Sequence, residues 1–172
     1  MTALTLHEVE HSEEVMMAAP LAVRWAKKLH RQRYETGSRL NGDGIELARK
    51  VGVQRPDLIR VIFVEEMPTP SWPLLREVSD QIGLFSRKVS GMTIGYLIYV
   101  QQSSDQLRTL SRELRHVYQY ERLGSIRNFL ETYFNQLIVY GRLAAPLEVE
   151  ARRYEISEWS AVSQIEKVNG RS

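Results

Sequence analysis

The most informative stretch of this 172-residue sequence is RELRHVYQYERLG, residues 112–124. Apolar side chains recur before and within it at the spacing of an amphipathic helix, at Leu107, Leu110, Leu114 and Val117. Gly124 is a typical helix terminator, so the sequence predicts a helix over residues 104–123. On such a helix, residues 112 and 116 lie one turn apart on the same face.

Two stretches ahead of this helix have the composition of strands. LIRVIFVEEM, residues 58–67, is rich in β-branched residues and lies between Pro56 and Pro68, which favours a buried strand. GMTIGYLIYV, residues 91–100, is predicted to be a second strand, whose two glycines permit the close approach of another backbone.

Five further helices are predicted from apolar spacing and from residues that start or stop helices. The first covers residues 12–35, with Ser12 as its N-cap and with Pro20 kinking or dividing it. The others cover residues 44–51, 73–83 and 125–141, and a last helix begins at about Leu147. Together these elements predict one domain of α+β class.

Composition narrows the classes of function. The sequence has no cysteine, so any metal ion would be held by His, Asp or Glu. Its 23 basic and 21 acidic residues give a net charge of +2, which does not indicate a nucleic-acid partner. Neither a signal sequence nor a run of eighteen apolar residues is seen, so we expect a cytoplasmic protein with no membrane contact. Nucleotide-binding and serine-hydrolase motifs are also absent from the sequence.

The pentapeptide at residues 112–116 resembles the HExxH motif of the zincin metallopeptidases. In that motif two histidines one turn apart bind zinc, and the glutamate beside the first activates a water molecule. Glu113 and His116 occupy their motif positions here, whereas Arg112 stands where the first histidine belongs.

A second stretch, APLEVEAR at residues 145–152, extends the resemblance. Glu148 to Ala151 matches the E-x-x-A pattern by which gluzincin-type peptidases supply a carboxylate ligand from a later helix. The two stretches resemble an uncharacterised bacterial zincin-like family whose members read HELRHVxQYE and then PLEVEA. The resemblance implies a small zincin-like core over residues 56–172, with a short sheet packed on the motif helix. Residues 1–55 are expected to add a helical N-terminal layer.

The resemblance also implies roles for individual residues. His116 and Glu148 would be zinc ligands, and Glu113 would be the catalytic base. Arg112 departs from the family, because a guanidinium group has no lone pair to donate to zinc. Arg152 is a second departure, since the family has an acidic residue there that would support the metal-binding histidine.

These departures predict a degenerate zincin-like domain, with zinc binding impaired or absent and a cleft that still binds a peptide or protein segment. We expect Glu113, His116 and Glu148 to converge in that cleft. Arg112 is expected to replace the metal electrostatically by pairing with Glu148, with Glu150 as a further candidate.

Two alternatives remain open from the sequence. One is an active zinc peptidase that uses His116, Glu148 and a further ligand such as Glu150 or Glu113. The other is a non-enzymatic helical interaction module that binds through the basic residues of the first helix, Arg24, Lys27, Lys28, Arg31 and Arg33.

An unbroken HExxH pattern also occurs at residues 7–11, HEVEH. It lies close to the N-terminus in an acidic stretch with no strand before it, so we interpret it as a chance match. His7 and His11 could nevertheless complicate a metal assay.

Overall fold

The computed structural model describes residues 6–81 and 89–160, with side chains from residue 13 onward. It confirms the α+β class. The described ranges contain six α-helices and four strands: α1 (Leu6–Arg33), β1 (Ser38–Arg39), α2 (Gly42–Lys50), β2 (Arg60–Val64), α3 (Pro73–Gln81), β3 (Gly91–Ile94), β4 (Leu97–Gln101), α4 (Gln106–Leu123), α5 (Ile126–Ala144) and α6 (Pro146–Arg152).

The four strands form one mixed sheet in the order β1, β2, β4, β3. β2 and β4 pair in parallel, whereas β1 and β3 are antiparallel to their neighbours. The strand predicted over residues 58–67 is confirmed as the shorter β2. β1 was not predicted, so residues 1–55 contribute a strand as well as helices.

The prediction of one continuous strand over residues 91–100 is wrong. The stretch is a hairpin in which Ile94 of β3 pairs with Leu97 of β4, leaving Gly95 and Tyr96 as the turn. Gly95 has a φ of 61°, which is the conformation that tight two-residue hairpin turns favour at this position. The turn makes β3 an edge strand and places it beside α4.

The first helix also differs from its prediction. α1 passes without interruption through Ser12 and Pro20, so Ser12 is not its N-cap and Pro20 does not divide it. Proline removes the hydrogen bond to the carbonyl four residues earlier, which belongs to Met16. Both residues are exposed, so water can satisfy that carbonyl.

The later helices follow the sequence closely. α4 begins after Asp105, whose carboxylate caps the N–H of Arg108, and it ends at Gly124 in the left-handed conformation. α5 is interrupted near its predicted end, at Gly141, where φ is 68° and ψ is 165°. The predicted end of α3 at Gly83 lies outside the described residues.

Two hydrophobic clusters hold these elements together, and α4 contributes to both. One joins α2, β2, β4 and α4 through residues that include Leu47, Val61, Ile98 and Leu114. The other joins α1, α3, α5 and α4 through residues that include Ala18, Val78, Phe134 and Tyr120. α4 is therefore fixed from both sides, which positions its polar face. Within the described ranges, no helix has the length and apolar character needed to span a membrane.

Candidate functional site

A cavity of about 90 Å³ lies among α1, β3, α4, α5 and α6. The predicted site residues converge on it, because Arg112, Glu113, His116 and Glu148 all line this cavity. Tyr133 and Arg142 add to its polar lining, and most of the remaining wall is aromatic or aliphatic. Helices from two separate motif stretches therefore meet at one pocket.

Glu113 is almost completely buried, with 2% of its surface exposed. One carboxylate oxygen, Oε1, accepts hydrogen bonds from Arg112 Nε at 3.2 Å and Nη2 at 3.0 Å. The other, Oε2, accepts one from Thr93 Oγ1 at 2.7 Å. A Cβ at Gly91 would lie only 2.6 Å from Glu113 Oε1, so the close contact of α4 with β3 requires glycine there. Glu113 is thus held by fixed partners on both oxygens.

The predicted pairing of Arg112 with Glu148 or Glu150 is wrong. Arg112 pairs with Glu113 and, through Nη1 at 3.6 Å, with Glu155. Glu150 pairs with Arg115 and Arg122 instead. Arg112 acts on Glu148 only through the electrostatic effect of a nearby charge, which lowers the pKa of Glu148. The adjacent Glu113 carboxylate gives Arg112 a buried partner on its own helix, which leaves Glu148 to other donors.

His116 is held by a glutamine one turn later on α4. Its Nδ1 lies 2.8 Å from Gln119 Oε1, and Gln119 Nε2 donates to Leu147 O at 3.0 Å and to Glu150 Oε2 at 3.1 Å. Because those two partners are acceptors, the amide nitrogen must face them and the amide oxygen must face His116. His116 Nδ1 therefore carries a proton, and Nε2 of the neutral ring is an acceptor.

Gln119 was missed by the sequence reasoning, although its spacing of three residues from His116 was a usable signal. It provides the histidine support that was expected from an acidic residue at position 152. Arg152 instead lies near Glu148, with Nη1 at 3.7 Å from Oε2.

Glu148 lines the cavity beside His116, and 7% of its surface is exposed. Its Oε1 accepts a hydrogen bond of 2.7 Å from Tyr133 and lies 3.8 Å from His116 Nε2. Burial alone would raise the pKa of Glu148, but His116, the Tyr133 hydrogen bond and the charge of Arg112 outweigh it and leave the pKa below its ordinary value. Glu148 is therefore an ionised acceptor at neutral pH.

Tyr133 of α5 is buried, and its hydroxyl donates the hydrogen bond to Glu148. Burial and the charge of Glu148 raise the pKa of Tyr133 well above its ordinary value, so the phenol remains a donor.

The residues present do not fit a catalytic zinc ion. A catalytic zinc site normally has three protein ligands. Here His116 and Glu148 face each other, but Arg112 stands at the position of the remaining ligand, the first histidine of the motif. Across the described ranges, no three His, Cys, Asp or Glu side chains are grouped so that they could hold a metal ion. Residues 7–11 lie in α1, but their side chains are outside the described ones.

Arg115, an intervening residue of the motif, is a second residue whose role the sequence did not reveal. Its guanidinium lies between the rings of Tyr118 and Tyr154, 3.9 and 4.1 Å from their centroids. Nη1 donates to Val51 O at 2.6 Å, and Nε donates to Glu150 Oε1 at 2.9 Å. Arg115 therefore joins α4 to α6 and to the end of α2.

Replacing Arg112 by alanine should destabilise the domain by about 3 kcal/mol, because it leaves the buried Glu113 carboxylate without its cation. Urea unfolding of wild type and Arg112→Ala would measure the difference. Arg127→Ala is the matched control, since Arg127 forms an exposed pair with Glu131 whose loss should cost less than about 1 kcal/mol. Equal losses in the two variants would contradict a structural role for Arg112.

Glu148 should make the domain sensitive to acid. Its folded-state pKa lies below its ordinary value, so its contribution to stability is complete above the ordinary pKa and is lost as the pH falls through the folded pKa. Glu148→Gln should therefore lose less stability than wild type between about pH 5 and pH 3. Urea titrations across that range would test this, with the exposed Glu131→Gln as control. If the free energy of unfolding of Glu148→Gln fell with pH as steeply as that of wild type, Glu148 would not be the source of the acid sensitivity.

The expectation of a zincin-like domain came from residues 112–124 and 145–152. The folded chain brings residues of both stretches to the same pocket. In comparisons with known proteins, the chain matches no protein-family model, no curated protein and no solved structure.

Proposed function

We propose that this chain is a degenerate zincin-like domain that binds an extended peptide segment beside β3 and does not hydrolyse it. The observation that carries the proposal is the meeting of Glu113, His116 and Glu148 at one cavity, with Arg112 in the place of the first zinc ligand. The glutamate that would activate water is engaged by Arg112 and Thr93. Binding therefore accounts for the pocket better than catalysis does.

The edge of the sheet supports a peptide as the ligand. Ile94 and Leu97 flank the two-residue turn and form the hydrogen-bonded pair, so the peptide groups of Gly91 and Thr93 point away from β4. The Thr93 carbonyl accepts a hydrogen bond of 3.1 Å from Tyr120, and no described residue bonds to the Thr93 N–H. Because residues 91–94 line the cavity, a peptide added to this edge would pass along it.

Binding to labelled heptapeptides of random sequence, measured by fluorescence anisotropy in the presence of EDTA, would test the proposal. We expect metal-independent binding, and we expect mass spectrometry to find the peptides intact. A matched pool with N-methylated backbones should bind more weakly, since methylation removes the donors that pair with a strand edge. Failure of the unmethylated pool to bind would refute the proposal.

The active-peptidase alternative predicts a different outcome of the same assay. Zinc-dependent cleavage that persists in a His7→Ala, His11→Ala background and is lost in Glu113→Gln would establish that alternative. The two histidines are replaced in that background because they can bind zinc independently of the cavity.

A further inference from the structure

Two hydrogen-bond acceptors face each other across the cavity wall. His116 Nε2 has no proton in the neutral ring, because Gln119 fixes the proton on Nδ1. Glu148 Oε1 lies 3.8 Å from it and is ionised. His116 is 94% buried, since 6% of its surface is exposed, and it lines the cavity. His116 and Glu148 both line the cavity, so a ligand in it can donate a hydrogen bond to them.

The wall next to these acceptors is formed by aromatic rings that hold one another in place. Phe129 stacks on Tyr120 and Tyr133, with ring centroids 3.8 and 5.7 Å away, and meets the His116 ring edge to face at 6.1 Å. Trp25 of α1 also lines the cavity. A ligand group lying against this wall would be apolar.

The charges of the lining indicate that the ligand is neutral. Two arginines and two glutamates line the cavity, Arg112, Arg142, Glu113 and Glu148, so their formal charges cancel. Glu113 is already neutralised by Arg112, and Glu148 already accepts from Tyr133 and lies near Arg152. Burying a charged group in such a balanced site would leave it without a counter-ion.

We propose that the cavity recognises a neutral ligand whose hydroxyl or amide N–H bridges His116 Nε2 and Glu148 Oε1, and whose compact apolar group lies against the aromatic wall. The volume of about 90 Å³ is smaller than the apolar cavity of about 150 Å³ that is known to enclose benzene. The apolar group is therefore a branched aliphatic group or a partly inserted ring. An amide N–H beside a leucine or phenylalanine side chain has this chemistry, as does a small free alcohol.

The inference deepens the proposed peptide-binding function, but small probes test it separately. The probes are benzyl alcohol, toluene, benzylamine and benzoate, which share one ring and differ in donor and charge. Saturation-transfer NMR titrations at about pH 8, above the ordinary pKa of a histidine side chain, would measure the affinity of each probe. Benzyl alcohol should bind about fivefold more tightly than toluene, as one buried hydrogen bond provides, and more tightly than either charged probe. Equal affinity for benzyl alcohol and toluene, or tightest binding of a charged probe, would overturn the proposal.

Three variants and one spectrum make the test more specific. His116→Phe keeps a ring but removes the acceptor, so the preference for benzyl alcohol over toluene should vanish, whereas His30→Phe outside the cavity should preserve it. Leu130→Trp should block all four probes by filling the cavity. In the unliganded protein, long-range ¹H–¹⁵N spectra should show the His116 proton on Nδ1. A proton on Nε2 would overturn the proposal even if a variant failed to fold.

Two further binding measurements, with N-acetyl-leucinamide and with the heptapeptide pool, show whether the ligand is part of a peptide or a free small molecule. N-acetyl-leucinamide, which carries the same donor and apolar group in peptide form, should also bind, and its binding should depend on His116. If the alcohol and this amide bind but the heptapeptide pool does not, the cavity inference stands and the proposed peptide-binding function fails. If the heptapeptide pool binds but benzyl alcohol binds no more tightly than toluene, the proposed peptide-binding function stands and the cavity inference fails.

Discussion

Replacing Arg112 by histidine is expected to create a zinc site and to raise the melting temperature of the protein when zinc is added. Residues 112 and 116 are one turn apart on α4 and line the same cavity, so both imidazoles would face it. Glu148 Oε1 lies 3.8 Å from His116 Nε2, near the separation of about 3.4 Å that two ligands of a tetrahedral zinc ion adopt. The substitution would complete a set of three ligands.

The size of the effect follows from binding to the native state. Zinc at about one hundred times its dissociation constant would add about 2.7 kcal/mol, which corresponds to a rise of about 5–10 °C for a chain of this length. Differential scanning fluorimetry with increasing zinc would measure it, and peptide hydrolysis would be followed in the same samples.

Controls separate this site from other zinc binding. All variants would carry His7→Ala and His11→Ala, because those histidines form the HEVEH pattern. Adding Glu148→Gln to Arg112→His should remove most of the stabilisation by removing one ligand. If Arg112→His gains no more stability from zinc than the parent, these residues are not a dormant zincin site.

Replacing Arg115 by alanine is expected to destabilise the domain by about 3–5 kcal/mol. The change would leave the Val51 carbonyl without its donor and Glu150 without its shortest ion pair. It would also remove the flat group between Tyr118 and Tyr154. Urea unfolding would measure the loss, and Arg115→Lys should recover only part of it because an ammonium group cannot make the same planar contacts.

Arg122→Ala is the matched control for this experiment. Arg122 pairs with the same Glu150, at 3.4 Å, but its side chain is about half exposed. Its loss should therefore cost less than about 1 kcal/mol. If Arg115→Ala were as mild as Arg122→Ala, Arg115 would not be a structural link between α4, α6 and α2.

The order of the elements and the limits of several helices could be predicted from the sequence. α4 was predictable because its apolar residues recur at helical spacing and because Gly124 ends it. The hairpin of β3 and β4 was not predicted, because its apolar residues run through the turn without a polar break. The glycine at position 95 was the local signal, because glycine readily adopts the positive φ that it has in this turn.

The candidate site, too, could be predicted from the sequence only in part. The residue types of Glu113, His116 and Glu148, and the spacing of the first two on one helix, are properties of the sequence and predicted a shared cleft. Long side chains such as Arg112 and Arg115 can reach several partners, so sequence spacing does not select among them. The choice of Glu113 and Glu155 by Arg112, and of Glu150 by Arg115, required the packed positions of α4 and α6.

By itself, the sequence determined the α+β class, the motif helix and the absence of cysteine ligands. Only the tertiary structure decided the tautomer of His116, because Gln119 can orient its amide only once α6 supplies Leu147 O and Glu150 as acceptors. Helical periodicity is a local property, because it depends only on the types of residues that lie close together in the sequence. A buried hydrogen-bond network joins residues from separate elements, so its geometry exists only after those elements have packed.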